Sequence, residues 1–476
     1  MRRPLFAAAM LLLLAALAAP TAHAKPAAQI AGVALHPWQL QDYQVRERVF
    51  DGVAATGARW VRVDMPWAWV EANGPTLNHG HGHWGGLDSI VNAADRHGLK
   101  LIGIVGYTPE WASDSGDLWE YPDADAFEDF FAAALRRYPQ ITAWELWNEP
   151  NFERFSKPEA DAARFVNFLR SARRARDSVG SKAKLISGGV APGGDVDIRT
   201  WVDQVAMRGG LNLIDGLGVH PYSPVAPDDP RSWMMQLEAL HKRLGQLGRP
   251  DLPLWLTEYG APSVPVASGY APALTEQQQA DRLRTAFALA GRFDWIENLT
   301  WYEYRDSNTG SRDPEENFGL VHSDLTPKPA YTALRDVVAG ATAKLRPRLT
   351  LASRYSQARV RVSPASAARA KHTVKRKRHV KKRKVVKRKI VNRIAVTGRL
   401  VLPGTAWPDA PITVLLPRVG APPRAVTVIV KEGYFWARFE GPALTSGTVE
   451  VRYGGSTAYL PVVATAQVVS SATTKQ

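Results

Sequence analysis

The sequence predicts an α/β protein: a (β/α)8 TIM barrel, then a basic linker, then a small C-terminal β-sandwich. Three observations carry this. Short apolar runs alternate with amphipathic stretches between residues 29 and 340. Alternating strands and helices imply a parallel sheet covered by helices, and eight such runs in roughly 310 residues suit a closed barrel better than an open doubly wound sheet. Beyond residue 394 the pattern changes to short Val/Ile/Thr runs separated by Gly and Pro, the signature of a small antiparallel β domain.

The strand candidates are residues 31–36, 60–65, 99–105, 143–148, 184–189, 214–220, 252–258 and 299–304. No Gly-rich dinucleotide fingerprint follows the first, which also disfavours an open sheet. Between them, Leu87, Ile90, Val91 and Ala94 make one apolar stripe, and Gly98 ends that helix. Thr275 and Gln278 form a capping box. Pro329 suits the first turn of an eighth helix that closes the barrel.

The chain divides into five parts. Residues 1–24 have the features of a signal peptide: Arg2 and Arg3, an apolar run over 5–19, and Ala22-His23-Ala24 as the cleavage site. After cleavage no membrane-spanning segment is expected. Residues 25–340 are the catalytic barrel, 341–393 a basic low-complexity linker, 394–465 the sandwich and 466–476 a disordered tail. Cysteine is absent, so no disulfide framework is needed.

The net charge of +15 invites a nucleic-acid reading. Of it, 14 units sit between Arg369 and Arg393, a stretch without Asp or Glu. The folded parts are therefore nearly neutral. The tract reads either as a solvated linker or as an anchor to anionic cell-envelope polymers or acidic polysaccharide. Nucleic acid is disfavoured, because export removes the opportunity.

Barrel enzymes carry their reacting groups at the C-terminal ends of strands. Two glutamates fall there: Glu149 after the fourth strand, in Trp147-Asn148-Glu149-Pro150-Asn151, and Glu258 at the end of the seventh, in Leu254-Trp255-Leu256-Thr257-Glu258-Tyr259-Gly260. Two carboxylates, one kept protonated and one ionised, are what cleavage of a glycosidic bond requires. An arginine beside Glu258 would favour its charged form, and a less compensated Glu149 would keep its proton near neutral pH. No metal-ligand spacing, nucleotide loop or Ser-His-Asp arrangement stands out, so neither metal nor cofactor is expected. His79, His81 and His83 read as a Gly-rich loop rather than a metal site.

Trp147–Asn151 resembles the strand-four signature of clan A glycoside hydrolases. Residues 144–151 together with Val219-His220-Pro221-Tyr222-Ser223 are most similar to family 39, which includes xylosidases, iduronidases and bacterial endo-acting exopolysaccharide hydrolases. Family 5 cellulase-like enzymes come second. The resemblance spans residues 29–338 and leaves out the C-terminal part. It implies a retaining mechanism, with Glu149 as acid/base and Glu258 as nucleophile. It implies that Asn148 bonds the substrate 2-hydroxyl, that Arg62 supports the nucleophile, and that His220 and Tyr222 form the strand-six pair, the tyrosine bonded to Glu258. Trp301 would be the aromatic platform beneath the cleaved sugar. Several clan members place a histidine after strand three, whereas this chain has Tyr107; that departure weakens a family 5 assignment, and His36 is placed to compensate.

Bland readings stand beside these. A glutamate after a strand is often a solvated loop residue, Arg62 could bond core carbonyls, and His-Pro-Tyr is a common turn. Trp111, with Trp67, Trp69 and Trp119, lies where it could stack on sugar. Trp38, Trp60, Trp144 and Trp255 read as packing. The expected partner is a polysaccharide or oligosaccharide substrate, and the expected state a monomer. The competing reading is a non-catalytic carbohydrate-binding or envelope-associated protein on the same scaffold.

Overall fold

The computed structural model describes residues 25–75, 83–267, 272–341, 344–345, 347–361, 388–402, 409–441, 443–456 and 459–468. The expected leader, His79 and His81, residues 362–387 of the basic tract and residues 469–476 of the tail lie outside the described residues.

Eight strands form the barrel: β1 (Ala31–Leu35), β2 (Trp60–Pro66), β3 (Lys100–Gly106), β4 (Ala143–Asn148), β5 (Lys184–Gly189), β6 (Leu217–Gly218), β7 (Leu254–Tyr259) and β8 (Ile296–Trp301). They pair in parallel in the order β5-β4-β3-β2-β1-β8-β7-β6. Bridges Ile186–Gly216 and Val190–Val219 close the ring between β5 and β6. Among the described residues no helix is long and apolar enough to cross a membrane.

Two strands depart from expectation. β8 starts and ends three residues earlier than the apolar run at 299–304 suggests. Polar residues follow Ile296 at its start: Glu297 faces out and pairs with Lys25 at 2.9 Å, while buried Asn298 donates to Ile30 O at 3.2 Å and accepts from Thr300 Oγ1 at 2.8 Å. β6 is only two residues long, pinched where a side chain on Gly218 would meet Ser187 O at 2.3 Å. The helix signals hold. The stripe on Gly85–Arg96 is buried, and Gly98 takes φ 67° after it. Glu276–Ala290 carries the Thr275/Gln278 capping box, and Pro329 opens Pro329–Val338.

Two antiparallel sheets follow: β13 (Tyr434–Gly441), β10 (Arg388–Val401) and β9 (Arg348–Arg361) in one; β12 (Arg424–Val430), β11 (Ala410–Leu416), β14 (Gly447–Tyr453) and β15 (Val462–Val468) in the other. Tyr355, Ile394, Val396, Leu400, Phe435, Ile412, Val414 and Val451 are buried, consistent with a sandwich core. The segment read as linker thus supplies structure. β9 lies wholly within 341–393 and pairs with β10 from Arg348↔Val401 to Arg361↔Arg388. Its alternation is weak in sequence because small and polar residues, Thr350, Ala352 and Ser353, break the apolar rows. The Val/Thr-rich run at 457–463 reads in sequence as the last strand, but that strand is Val462–Val468, since Pro461 cannot sit inside a ladder. It occupies three residues of the supposed tail.

The sandwich rests on the barrel. Leu460 N–H donates to Leu345 O at 3.0 Å, the Arg292 guanidinium lies 5.0 Å from the Tyr459 ring centre, and Arg348 pairs with Asp229 at 2.7 Å.

Candidate active site

Side chains along a strand alternate between faces, so residues two apart share the barrel interior. Trp60, Ile102, Ala143, Ile186 and Trp255 form an apolar plug there. Two residues further along β2, β4 and β7 come Arg62, Glu145 and Thr257, all buried. Arg62 spreads its donors over three partners: Nε to Glu145 Oε2 at 2.6 Å, Nη1 to Glu258 Oε1 at 2.8 Å, Nη2 to Asn148 Oδ1 at 3.3 Å. Glu145 also accepts from Thr257 Oγ1 at 2.7 Å and from Gly189 N–H at 3.1 Å. Burial pushes the Glu145 carboxyl up, but the Arg62 charge, aided by His220, brings it to about 2.

By strict alternation Trp147 would join that inward face. Its φ of 83° turns it outward instead, against Tyr121 at 4.7 Å and Phe168 at 5.3 Å between ring centres. The indole N–H donates to the Phe155 carbonyl. The phase is reset: Asn148 reaches Arg62, and Glu149, at φ 37°, joins the cluster at the barrel mouth. Left-handed backbone at a non-glycine costs about 1–3 kcal/mol and persists where function or surrounding packing demands it. Asn151 pins the next loop, donating to Ala191 O at 2.8 Å and Val196 O at 2.9 Å.

Glu149 and Glu258 meet across His220, and oxygens of the two carboxylates come within 4.8 Å of each other. His220 Nδ1 lies 3.1 Å from Glu149 Oε1 and 3.6 Å from Glu258 Oε2; Nε2 lies 3.1 Å from Thr257 Oγ1. Thr257 uses its own proton on Glu145, so it accepts from Nε2–H, while carboxylates face Nδ1. Both ring nitrogens therefore carry protons. Burial pulls the imidazole pKa down, but the Glu258 charge and the contacts to Glu145 and Glu149 push it to about 9. The ring passes so close to β5 that a side chain on Gly189 would meet His220 Nε2 at 2.1 Å. The same three residues are spaced to ligate a cation, yet an imidazolium has no lone pair to offer. The arrangement suits proton transfer.

One expectation about Glu149 is overturned. Burial raises its pKa, but the hydrogen bond and charge of His220, with Arg154 Nη2 at 3.0 Å from Oε2, hold the carboxyl below its ordinary range. Two cations thus face a carboxyl that the sequence reading left less compensated. Arg154 is 65% exposed and stacks over Phe155 at 4.4 Å, at the rim of the cleft.

Tyr222 Oη donates to Glu258 Oε2 at 3.0 Å, the contact that the resemblance implied. Tyr107 and His36 come together through Asp64: Tyr107 donates to Asp64 Oδ1 at 2.9 Å, and His36 Nδ1 forms an ion pair with Oδ2 at 3.5 Å. His36 Nε2 lies 3.0 Å from Glu303 Oε2. Burial opposes charging His36, but these two acids raise its pKa to about 10.

Two expected residues lie elsewhere. Trp301 is fully buried and donates to Phe318 O at 3.2 Å, because β8 ends at it and turns it into the core; its neighbour Tyr302 lines the cleft instead. Trp111 donates to Glu71 O at 2.6 Å and lines a separate cavity of about 390 Å³ beside Asp123 and Phe127. Trp38, read as packing, is 52% exposed and stacks on His36 at 4.2 Å. The cleft itself holds about 400 Å³ between Glu149, Glu258, Phe152, Phe155, Tyr302 and Phe318. Sequence reasoning missed Glu145, Thr257, Asp64, Arg154 and Glu303. For the first three a signal existed, since each shares strand parity with an inward residue. Arg154, on a single 3-10 turn (Glu153–Phe155), and Glu303, beyond the end of β8, had none.

The family model described as cellulase (glycosyl hydrolase family 5) matches residues 20–190, and that described as glycosyl hydrolase catalytic core matches 118–328. The chain is 26% identical to mannan endo-1,4-beta-mannosidase A of Aspergillus aculeatus over 41% of its own length and 56% of that enzyme. It is 23% identical to a beta-xylosidase of Geobacillus stearothermophilus over 52% and 54%. It thus spans about half the length of these curated relatives. In structure it is similar to a family 39 glycoside hydrolase from Bacteroides cellulosilyticus, with TM-score 0.52 and 18% identity over 87% of this chain and 81% of that one. The GH39 enzyme from Xanthomonas axonopodis pv. citri gives TM-score 0.53 and 14% identity over 88% and 93%. Those spans exceed the barrel, so the likeness of fold runs into the sandwich, beyond the 29–338 of the sequence resemblance.

Proposed function

We propose that this protein, whose barrel matches two glycosyl hydrolase family models, is an exported, retaining glycoside hydrolase of clan A acting on a polysaccharide or oligosaccharide. The observation that carries the proposal is the pair Glu149 and Glu258, with oxygens within 4.8 Å. Retaining enzymes hold their carboxyls about 5–5.5 Å apart, whereas inverting ones leave about 6.5–9.5 Å for a water molecule.

Glu258 Oε1 is fixed by the Arg62 cation, so Oε2, held by the neutral Tyr222 hydroxyl, attacks the anomeric carbon. Glu149 gives its proton to the glycosidic oxygen as that bond breaks, and the leaving sugar departs as an alcohol. A glycosyl ester of Glu258 remains. Glu149, now a carboxylate beside charged His220, takes a proton from water, whose oxygen attacks the same carbon and frees Glu258. Asn148, held by Arg62, faces the position of the sugar's 2-hydroxyl.

The relatives' names make β-1,4-mannan and β-xylosides the first substrates to try. Export rests on the leader-like residues 1–24 and is tested by finding Lys25 at the N-terminus of protein recovered from the medium. For the chemistry, proton NMR of fresh product should show the substrate's anomeric configuration retained. Glu258→Ala should lose turnover and regain it with azide, releasing a glycosyl azide of inverted configuration. Inverted sugar from the unmodified protein would refute the assignment.

A further inference from the structure

We propose that the outer face of the β13-β10-β9 sheet is a second glycan-binding site, a platform for an anionic polysaccharide chain. The choice of a glycan rests on the hydrolase reading above; the site rests on its own geometry.

Alternation on β13 buries Phe435 and turns Tyr434, Trp436, Arg438 and Glu440 outward. Trp436 is 66% exposed and Tyr434 53% exposed. An indole so open to water gains nothing for the fold, and exposed apolar surface rimmed by polar groups marks a binding surface. The two rings are alternate residues of one strand, about 7 Å apart along it. They form a short stripe for the apolar faces of successive sugars.

Register supplies the charge. Tyr434 faces Arg399 across the ladder, and that guanidinium lies 5.2 Å from the ring centre. Trp436 faces Thr397. Arg438 faces Ala395, which in turn faces Arg354 on β9. Glu440 is the sole outward acid on these rows, already paired with Arg393 at 2.6 Å and Arg438 at 3.4 Å. Among the described residues no acid ion-pairs with Arg354 or Arg399. Rings flanked by unneutralised arginines match a chain of sugars bearing carboxylate or sulfate groups: stacking takes the ring faces, and the forked guanidiniums take the anions.

The platform is tied to the barrel mouth. Arg348, on the same outward face of β9, pairs with Asp229 in the loop that follows β6 and carries Tyr222. The sheet that would hold the polymer is thus joined to the loop that carries Tyr222 into the cleft.

The test uses the full chain carrying Glu258→Ala, so that binding is read without cleavage and stands or falls separately from the catalytic assignment. Affinity electrophoresis in gels containing polygalacturonate or dextran sulfate should retard the protein, with retardation falling as salt rises. Trp436→Ala and Tyr434→Ala should each weaken binding about threefold to tenfold. Arg354→Gln with Arg399→Gln should weaken retardation by polygalacturonate about threefold to tenfold more than the same pair of changes weakens it in gels of neutral glucomannan, the basic tract of residues 369–393 being common to every variant. In the active chain, Trp436→Ala should lower kcat/KM on polymer and leave that on a short oligosaccharide unchanged. Equal retardation by neutral glucomannan, unaffected by the arginine changes, would overturn the anionic assignment. Binding of single-stranded DNA in preference to either polymer, or a concentration-dependent dimer abolished by Trp436→Ala, would overturn the glycan assignment.

Discussion

Arg154 shows how one rim side chain can set the working pH of the site. Its guanidinium neutralises Glu149 in the ligand-free protein, yet a general acid must be protonated when the substrate arrives. Because Arg154 and His220 hold the Glu149 carboxyl low, the alkaline limb of kcat/KM is expected at lower pH than a solvated glutamate would give, if Glu149 is the proposed acid. Arg154→Gln removes one of the two restraining cations, so that limb should move to higher pH; a pH–rate profile measures it, and an unmoved limb would exclude Arg154 from the protonation of Glu149. Glu145 sits deeper. Glu145→Gln leaves Arg62 and His220 short of a buried counter-charge, a change that typically costs about 3–5 kcal/mol. Urea unfolding should show the loss, with kcat falling as Arg62 shifts away from Glu258. Glu149 and Glu258 were legible as carboxylates at strand ends, whereas Arg62, Asn148, His220 and Tyr222 were named only through the resemblance to clan A motifs; the fold brings all six together. Arg154 was not legible, because its partner is set by how a loop folds back over the cleft.

At the level of elements, the end of β4 and the end of β5 act together. Positive φ at Trp147 and Glu149 breaks the two-residue alternation, sending the indole into the helical layer and the carboxylate over the mouth. No residue type in the motif announces that reset. β5 answers with Gly189, whose missing side chain makes room for His220. Gly189→Ala should displace the imidazole, lowering kcat by orders of magnitude while costing about 1–3 kcal/mol of stability. Activity and thermal denaturation on the same sample separate the two effects. Elsewhere the sequence reading slipped where polarity and burial disagree. In β8 a glutamate and an asparagine follow Ile296, so its apolar run appears to start late and Trp301 appears to end exposed. In β9 Thr350, Ala352 and Ser353 interrupt the apolar rows, so the alternation that marks a strand is weak.

Across the whole molecule, buried ion pairs link stability to pH. His36 and His220 have pKa values raised from 6.5 to about 10 and about 9. A raised value means the folded state holds its proton more tightly than the unfolded chain does. That contribution is complete below 6.5 and disappears as pH rises through about 9 to 10. Asp64 and Glu145 act in the opposite sense, their contributions lost only as the medium becomes strongly acidic. The melting temperature should therefore fall between pH 6.5 and 10, and His36→Gln should flatten that slope. Removing residues 341–476 tests the other large-scale feature. The truncated barrel should still cleave short substrates but unfold at lower temperature, since Arg292 and Asp229 lose their sandwich partners.

What the sequence determined by itself was the periodic and the local: eight strands, their order, the glutamates at two strand ends and the arginine on β2. Strand alternation and turn chemistry act over a few residues, so they can be read from a linear string. Tertiary structure alone decided which groups share a counter-charge, that Tyr302 and not Trp301 lines the cleft, and that the supposed linker supplies one strand of a sheet and the start of a second. Those outcomes depend on ring closure, on two backbone angles at the end of β4 and on the pairing of distant strands, and no short-range pattern encodes such long-range geometry.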